Sequence, residues 1–177
     1  GYQVRELRAI ATCAVREATD GADFCRRVRD EVGLDIQVVS AEDEARLAFY
    51  GVPRSFDLDG KNVAVVDIGG GSTEIVLASN KLIESIYTTP LGAVRMTELY
   101  GGSQAESNEE FERLVRSVDR LLKKHTEKPP FVPHLLIGSG GTFTTLGSMV
   151  LAARGAANQR VQGAVVTQAE VRHLLER

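Results

Sequence analysis

The stretch that decides the fold is residues 62–74, NVAVVDIGGGSTE, in which an apolar run passes through Asp67 into three consecutive glycines. The apolar run predicts a buried β-strand, because it is short and rich in β-branched residues. Glycines after such a strand let successive backbone N–H groups approach an anion without interference from Cβ atoms. The stretch therefore predicts a strand that leads into a phosphate-binding loop, and the alternative is a tight hairpin without a ligand.

The residues after this loop predict a continuing sheet. Strands are expected at TEIVLA (73–78) and LIESIYTT (82–89), joined by Asn80 and Lys81 in a turn that favours antiparallel hairpins. The other predicted elements are strands at 134–138 and near VQGAVV (161–166), and helices at 92–100, from about Ser107 to His125, at 143–153 and after the capping box formed by Thr167 and Glu170.

The part of the chain before residue 52 predicts an alternating β-α-β-α unit. LRAIATCAV (7–15) favours a buried strand, with a helix left open, and DIQVVS (35–40) favours a second strand. The helix between them is expected to stop at Gly33, and the next helix begins where Ser40 suits an N-cap. The sequence thus predicts an α/β protein with a first unit in residues 1–52, a linker in 53–61 and a second unit in 62–177.

The composition is that of a globular protein with no general affinity for polyanions. Because the formal net charge is -3, no basic field points to nucleic acid or to an anionic membrane. No apolar stretch reaches the roughly 20 residues that span a bilayer, and the first residues lack a signal-peptide pattern, so a cytoplasmic protein is expected. The cysteines and histidines are few and scattered, which makes a disulfide, a zinc site and a Ser-His-Asp triad poor candidates.

Two common nucleotide-binding motifs are absent. The sequence around Gly60-Lys61 does not match a Walker A loop, because Ser55 stands where the motif has its first glycine and Asn62 stands where it has a hydroxyl residue. A GxGxxG fingerprint fails because Glu74 occupies the position of its third glycine. A phosphate group would have to be held by another arrangement of the glycine loop.

Asp67 and a second glycine junction suit such an arrangement. A carboxylate at the end of a buried strand can hold a divalent cation directly or through water. The junction LLIGSGGTF (135–143) places the amides of Gly140 and Gly141 at the start of a predicted helix, where an anion is favoured. Close packing of that helix is the alternative explanation for its glycines.

Arg16 and the acidic segment SAEDEAR (40–46) are the other candidates. Arg16 follows an apolar run, from which its guanidinium can fork onto phosphate oxygens, or can form a surface ion pair with Glu17 or a neighbouring helix. The three acids of SAEDEAR point in different directions on a helix, so at most two of them face inward. A simply solvated helix face is the alternative.

With these segments in view, the chain resembles the Ppx/GppA family of exopolyphosphatases and guanosine pentaphosphate phosphohydrolases, of the actin-like ATPase superfamily. The resemblance rests on ATCAVREA, VVSAEDEARLAFYGV, VAVVDIGGGSTEIVL, PLGAVRMTE and LLIGSGGTFTTLG, which follow the family's order. It implies RNase H-like lobes with a mixed sheet and flanking helices, Mg2+ as the cofactor, and inorganic polyphosphate or guanosine pentaphosphate (pppGpp) as the substrate. We also expect the full-length protein to form a homodimer and to have no nucleic acid or membrane partner.

The resemblance also assigns roles to residues. Arg16 is similar to the family's phosphate-binding arginine, and Glu44 is similar to its catalytic base. Asp67 matches a metal-associated aspartate, and Glu74 resembles an acid that helps to place magnesium or the attacking water. The second phosphate loop of the family corresponds to Gly69, Gly70, Gly71, Ser72 and Thr73. Phosphoryl transfer to water requires a carboxylate that orients the water, together with donors and a metal around the transferred group.

One departure from the family is large. Its first phosphate loop, a segment of the Asp-x-Gly-Ser-Asn-Ser type, has no counterpart in this sequence. The chain is therefore expected to be a fragment that holds the end of lobe I and most of lobe II, and to be inactive or nearly so by itself. Two other functions stay open: a small-molecule kinase of the same superfamily, and a protein that binds polyphosphate or guanosine tetraphosphate without turnover.

Overall fold

A computed structural model describes residues 4–101 and 108–175, which form an α/β fold with a parallel strand pair and a four-stranded mixed sheet. The elements are, in chain order, β1 (Ala9–Ala11), α1 (Cys13–Glu17), α2 (Gly21–Val32), β2 (Ile36–Val38), α3 (Ala41–Gly51), β3 (Asn62–Ile68), β4 (Thr73–Ser79), β5 (Leu82–Thr89), α4 (Ala93–Tyr100), α5 (Asn108–His125), β6 (Leu135–Ser139), α6 (Gly140–Ala153) and α7 (Gln168–Leu175). The predicted α/β class with a mixed sheet and flanking helices is confirmed, and the predicted start of α5 near Ser107 lies outside the described residues.

The N-terminal unit is the parallel pair of β1 and β2 with α1 and α2 in the connection. The predicted stop of α2 is confirmed, because Gly33 takes a left-handed φ of 70° and its N–H bonds the Arg29 carbonyl at 2.9 Å. The expected strand over residues 7–15 is shorter than predicted. It ends at Ala11, and the Arg16 N–H then closes a helical turn on the Thr12 carbonyl at 3.0 Å, which periodicity in so short a run cannot foresee.

The main sheet has the strand order β5-β4-β3-β6. The first three strands form the predicted antiparallel meander, and β6 joins β3 in parallel. Asn80 and Lys81 have φ values of 48° and 67°, the positive values that a tight hairpin turn requires. In this register Asp67 of β3 lies between Glu74 of β4 and Ser139 of β6. The ends of three strands therefore bring the two predicted metal-associated acids together.

The core lies between the sheet and α3. Phe49 of α3 and Val63, Val65 and Val76 of the sheet are 1% exposed or less. Leu58, within the predicted linker, is also completely buried in this cluster. The segment 53–61 is thus anchored to the core by Leu58, which removes its apolar surface from water there, while most of the other residues of the segment stay exposed. The division into units stays a prediction.

The C-terminal part shows one wrong prediction and one correct one. VQGAVV (161–166) was expected to form a strand, but it forms a turn in which Gly163 has a φ of 79°. A positive φ at its third residue breaks the extended backbone that a strand needs. The capping box is confirmed, since the Thr167 N–H bonds the Glu170 carboxylate at 2.9 Å and the Glu170 N–H bonds the Thr167 hydroxyl at 3.3 Å.

Candidate active site

Glu74 is the most deeply buried acid of the candidate site. The side chain is 2% exposed, and within the described residues its Oε1 atom has no hydrogen-bond partner. Burial is the main cause that raises the pKa of Glu74, and the negative charges of Glu44 and Asp67 raise it further, against a hydrogen bond from Ser72 that lowers it. A buried carboxylate oxygen without a donor is costly, and a cation or a proton would satisfy it.

Asp67 is held beside Glu74 at the end of β3. The two residues are directly opposite in the antiparallel register, so their side chains share one face of the sheet. The Ser139 hydroxyl donates to Asp67 Oδ2 at 3.4 Å. Burial chiefly raises the pKa of Asp67, the Ser139 hydrogen bond lowers it, and the charge of Glu44 raises it. The acids Glu44, Asp67 and Glu74 thus repel one another across a single site.

Glu44 reaches this site from the first turn of α3. Ser40 caps that helix by accepting a hydrogen bond from the Asp43 N–H at 3.0 Å, as predicted for an N-cap. Of the three neighbouring acids, Glu42 is exposed and pairs with Arg46, and Asp43 bonds the Ser40 hydroxyl at 2.7 Å. Glu44 alone turns inward, which agrees with the prediction that at most two of the acids would do so.

Arg16 is the cation of the site. Its Nη1 atom donates to Glu44 Oε2 at 3.1 Å and to the Val39 carbonyl at 2.8 Å. The two paired side chains are about equally shielded, with 23% and 22% exposed. Of the two alternative ion pairs expected for Arg16, the one with Glu17 is replaced by a pair between Glu17 and Arg95. The one with a neighbouring helix is found, because Glu44 belongs to α3. Arg16 is therefore paired with the acid predicted to be the base.

The glycine loop turns tightly between β3 and β4. The Gly69 N–H bonds the Ser72 carbonyl at 3.0 Å, which closes the loop. Among the hydrogen bonds of the described residues, none is donated by the amides of Gly70 and Gly71. The Thr73 hydroxyl, by contrast, is buried and donates to the Leu91 carbonyl at 2.6 Å. Backbone amides of this loop are available to an anion, whereas the Thr73 hydroxyl proton is used within the protein.

At the second glycine junction, Gly140 lies in close contact with the Asp67 side chain. Gly140 begins α6 with a φ of 87°, and a Cβ atom there would lie 2.5 Å from Asp67 Oδ1. Gly141 follows it in the first turn of α6, where a Cβ atom would meet open space. The two predicted glycines therefore differ. A side chain at position 140 would collide with Asp67, whereas position 141 has room for one.

Arg95 of α4 also contacts the glycine loop, although no sequence motif indicated a role for it. Its Nε atom donates to the Gly71 carbonyl at 2.7 Å, and its Nη2 atom pairs with the Glu17 carboxylate. The same Nη2 lies 3.8 Å from the Cys13 sulfur. The segment PLGAVRMTE, which contains Arg95, carried part of the family resemblance, but no local sequence pattern links this arginine to the glycine loop 24 residues earlier.

The side chains of the site would not by themselves complete the coordination of a metal ion. No group of three or more His, Cys, Asp and Glu side chains in residues 4–101 and 108–175 is arranged to hold a metal ion by itself. Magnesium usually keeps several waters and takes only one or two carboxylates together with substrate phosphates. The orphaned Glu74 Oε1 and the adjacent Asp67 fit that pattern of hard oxygen ligands.

Comparisons with known proteins agree with this geometry. A family model described as the Ppx/GppA phosphatase family matches residues 1–177. Exopolyphosphatase 1 of Mycobacterium bovis is 33% identical over 159 residues, which make up 89% of this chain and 46% of that protein. A bifunctional 3-dehydroquinate synthase/phosphatase of Fusobacterium nucleatum is 36% identical over 149 residues, or 81% of this chain and 22% of that protein.

Solved structures share the fold. A Ppx/GppA family member from Aquifex aeolicus matches with a TM-score of 0.78 at 32% identity, over 99% of this chain and 56% of that one. An exopolyphosphatase from Cytophaga hutchinsonii has a TM-score of 0.75 at 21% identity, over 98% of this chain and 56% of that one, and supports the fold alone. The chain spans about half the length of these structures and of the mycobacterial relative. None of the helices in the described ranges is long and apolar enough to cross a membrane.

Proposed function

Because this chain belongs to the Ppx/GppA phosphatase family, we propose that it carries one side of the active site of a phosphoanhydride hydrolase. The proposed reaction releases terminal phosphate from inorganic polyphosphate, from pppGpp or from both. The observation that carries the proposal is the convergence of Arg16, Glu44, Asp67 and Glu74 at a loop of three glycines. Four elements of the fold, α1, α3, β3 and β4, contribute these side chains.

Glu44 is the proposed general base. The ion pair with Arg16 Nη1 holds its carboxylate at 3.1 Å and orients it toward the site. In the proposed step the carboxylate takes a proton from water, the water oxygen forms a bond to the terminal phosphorus, and the bond from that phosphorus to the bridging oxygen breaks. The Arg16 guanidinium and the amides of Gly70 and Gly71 are donors for the oxygens of the transferred group.

Asp67 and Glu74 are the proposed ligands of Mg2+. Burial chiefly raises the pKa values of both acids, and the charge of Glu44 raises them further; a divalent cation would relieve both effects. When bound, the metal would supply charge that offsets the charge of the phosphates. Ser139 and Gly140 support this pair, the first by its hydrogen bond to Asp67 and the second by leaving room for that side chain.

The test compares two glutamates of the same helix. In the full-length protein, Glu44→Gln should lower phosphate release from polyphosphate or pppGpp by roughly 10²- to 10⁴-fold, the usual contribution of a general base. Glu42→Gln is the matched control, because Glu42 lies two residues earlier and pairs with Arg46 on the exposed face. Equal rates in the two variants would contradict the assignment of Glu44.

The substrate and the metal need separate measurements. Phosphate release with polyphosphate and with pppGpp, each with and without magnesium, would identify the preferred substrate and the metal requirement. Binding of either compound without any change in its phosphate count would favour a sensor over a hydrolase. We also expect these 177 residues alone to have little or no turnover, because the mycobacterial relative is about twice as long. A cytoplasmic location and a full-length homodimer belong to the same proposal.

A further inference from the structure

The first turn of α4 holds all three carbonyls of the glycine loop. The Ala93 N–H bonds the Gly69 carbonyl at 2.9 Å, and the Arg95 N–H bonds the Gly70 carbonyl at 3.0 Å. The Arg95 side chain completes the set by donating from Nε to the Gly71 carbonyl at 2.7 Å. Arg95 therefore makes two of the three contacts, one from its backbone and one from its side chain.

These bonds determine where the loop amides point. In a trans peptide the carbonyl and the following N–H lie on opposite sides of the chain, and no cis peptide occurs in the described residues. With the carbonyls of residues 69–71 directed at α4, the amides of Gly70, Gly71 and Ser72 are directed away from it. The loop also contacts α4 closely, since a Cβ atom on Gly92 would lie 2.3 Å from the Gly70 carbonyl oxygen.

The side chain of Arg95 extends from the loop to α1. Its Nη2 atom pairs with the Glu17 carboxylate and contacts the Cys13 sulfur, while a Cβ atom on Gly71 would lie 2.6 Å from that sulfur. Glu17 is the direct neighbour of Arg16, which pairs with Glu44. A single guanidinium thus joins the glycine loop to the short helix that carries the other phosphate donor.

We propose that Arg95 is a positioning residue that keeps the amides of the glycine loop and the guanidinium of Arg16 in one fixed arrangement around a phosphate group. The proposal rests on the proposed function, because it concerns the same phosphate site. It assigns Arg95 no contact with the substrate. A lysine cannot replace it, because one ammonium group cannot match the planar fork that bonds the Gly71 carbonyl and the Glu17 carboxylate together.

The kinetic test uses Arg95→Met and Arg95→Lys in the full-length protein. We expect phosphate release to fall in kcat by roughly tenfold to a hundredfold in both, as a lost hydrogen bond from a charged group predicts, with a smaller change in KM. Arg154→Met is the matched control, because Arg154 also bonds one carboxylate and one carbonyl, those of Glu170 and Val165. It lies at the far end of α6 and should lose stability while keeping kcat. A kcat for Arg95→Met that matches this control would overturn the proposal.

A second measurement does not depend on turnover. NMR order parameters of the Gly70, Gly71 and Ser72 amides should fall from about 0.85 toward 0.6 in Arg95→Met and stay unchanged in Arg154→Met. If the wild-type protein releases no phosphate, the proposed function fails, but the order parameters still test whether Arg95 positions the loop. Unchanged order parameters in Arg95→Met would reject that positioning role. If Arg95→Met does not fold, Glu17→Gln replaces it. That variant keeps the bond to Gly71 and should lower kcat by roughly twofold to tenfold, since Glu17 is half exposed, and an unchanged kcat would reject the link to α1.

Discussion

Replacing Gly140 by alanine should destabilise the protein, whereas the same change at Gly141 should not. Gly140 has a φ of 87°, and its Cβ atom would lie 2.5 Å from Asp67 Oδ1 and 3.1 Å from the Ile68 carbonyl oxygen. At Gly141 the added Cβ atom meets open space. The two positions are adjacent and receive the same methyl group, so the comparison isolates the close approach to Asp67.

The magnitude follows from three contributions to the free energy of unfolding. A left-handed backbone costs an alanine about 1 to 2 kcal/mol. Displacing Asp67 breaks its bond from Ser139, which is worth about 1 kcal/mol. Alanine lowers the conformational entropy of the unfolded chain, which raises the free energy of unfolding by about 0.4 to 1 kcal/mol. The net loss for Gly140→Ala is therefore about 1 to 3 kcal/mol, while Gly141→Ala should gain up to about 1 kcal/mol within the helix.

Urea unfolding of the full-length protein measures this difference. The transition midpoint should fall for Gly140→Ala and stay level or rise for Gly141→Ala, with equal slopes, because neither change alters the surface exposed on unfolding. Phosphate release should fall in Gly140→Ala as well, since Asp67 is the proposed metal ligand. Equal midpoints for the two variants would refute the steric role of Gly140 and the placement of Asp67 against it.

Two other expectations concern the scaffold. Arg154 and the capping box lower the pKa of Glu170 to about 2, from an ordinary value of 4.5. Because the folded pKa is the lower one, this contribution to stability is complete above pH 4.5 and is lost as the pH falls through 2. Glu170→Gln should remove that part of the acid dependence of the melting temperature, and an unaltered profile would contradict it. Leu58→Ala should cost about 2 to 5 kcal/mol, because Leu58 is completely buried, whereas Leu82→Ala, 68% exposed, should cost far less by urea unfolding; similar losses would show that the segment before β3 is not part of the core.

Much of the fold could be predicted because its signals are local. The bounds of β5 follow from its β-branched and aromatic residues after a turn-forming Asn-Lys pair. The end of α2 follows from a left-handed Gly33, and the start of α3 follows from the Ser40 side chain, which bonds an N–H three residues away. Each of these signals acts within a few residues. The wrong strand at 161–166 has the same origin, since its β-branched residues favour a strand but Gly163 turns the chain.

Most residues of the candidate site could be proposed from the sequence, but their contacts with one another could not. Asp67 at the end of a strand, the glycines after it, Arg16 and the acids of SAEDEAR are visible in the sequence, and the family resemblance selected Glu44 among those acids. Which of the three acids in SAEDEAR turns inward depends on how α3 packs on the sheet, and the sequence pattern left that open. Arg95 escaped notice because its partners lie 24 and 78 residues away along the chain.

The sequence by itself determined most of the strands, the glycine loop and the residue types of the proposed phosphate site, because propensity, turn chemistry and caps act over a few neighbouring residues. Only the tertiary structure decided that Glu44 pairs with Arg16 and that Arg95 joins the loop to α1. It also decided that one buried oxygen of Glu74 has no hydrogen-bond partner among residues 4–101 and 108–175. These depend on sheet register and helix packing, which bring distant residues within a few ångströms and set burial, charge repulsion and hydrogen bonding together.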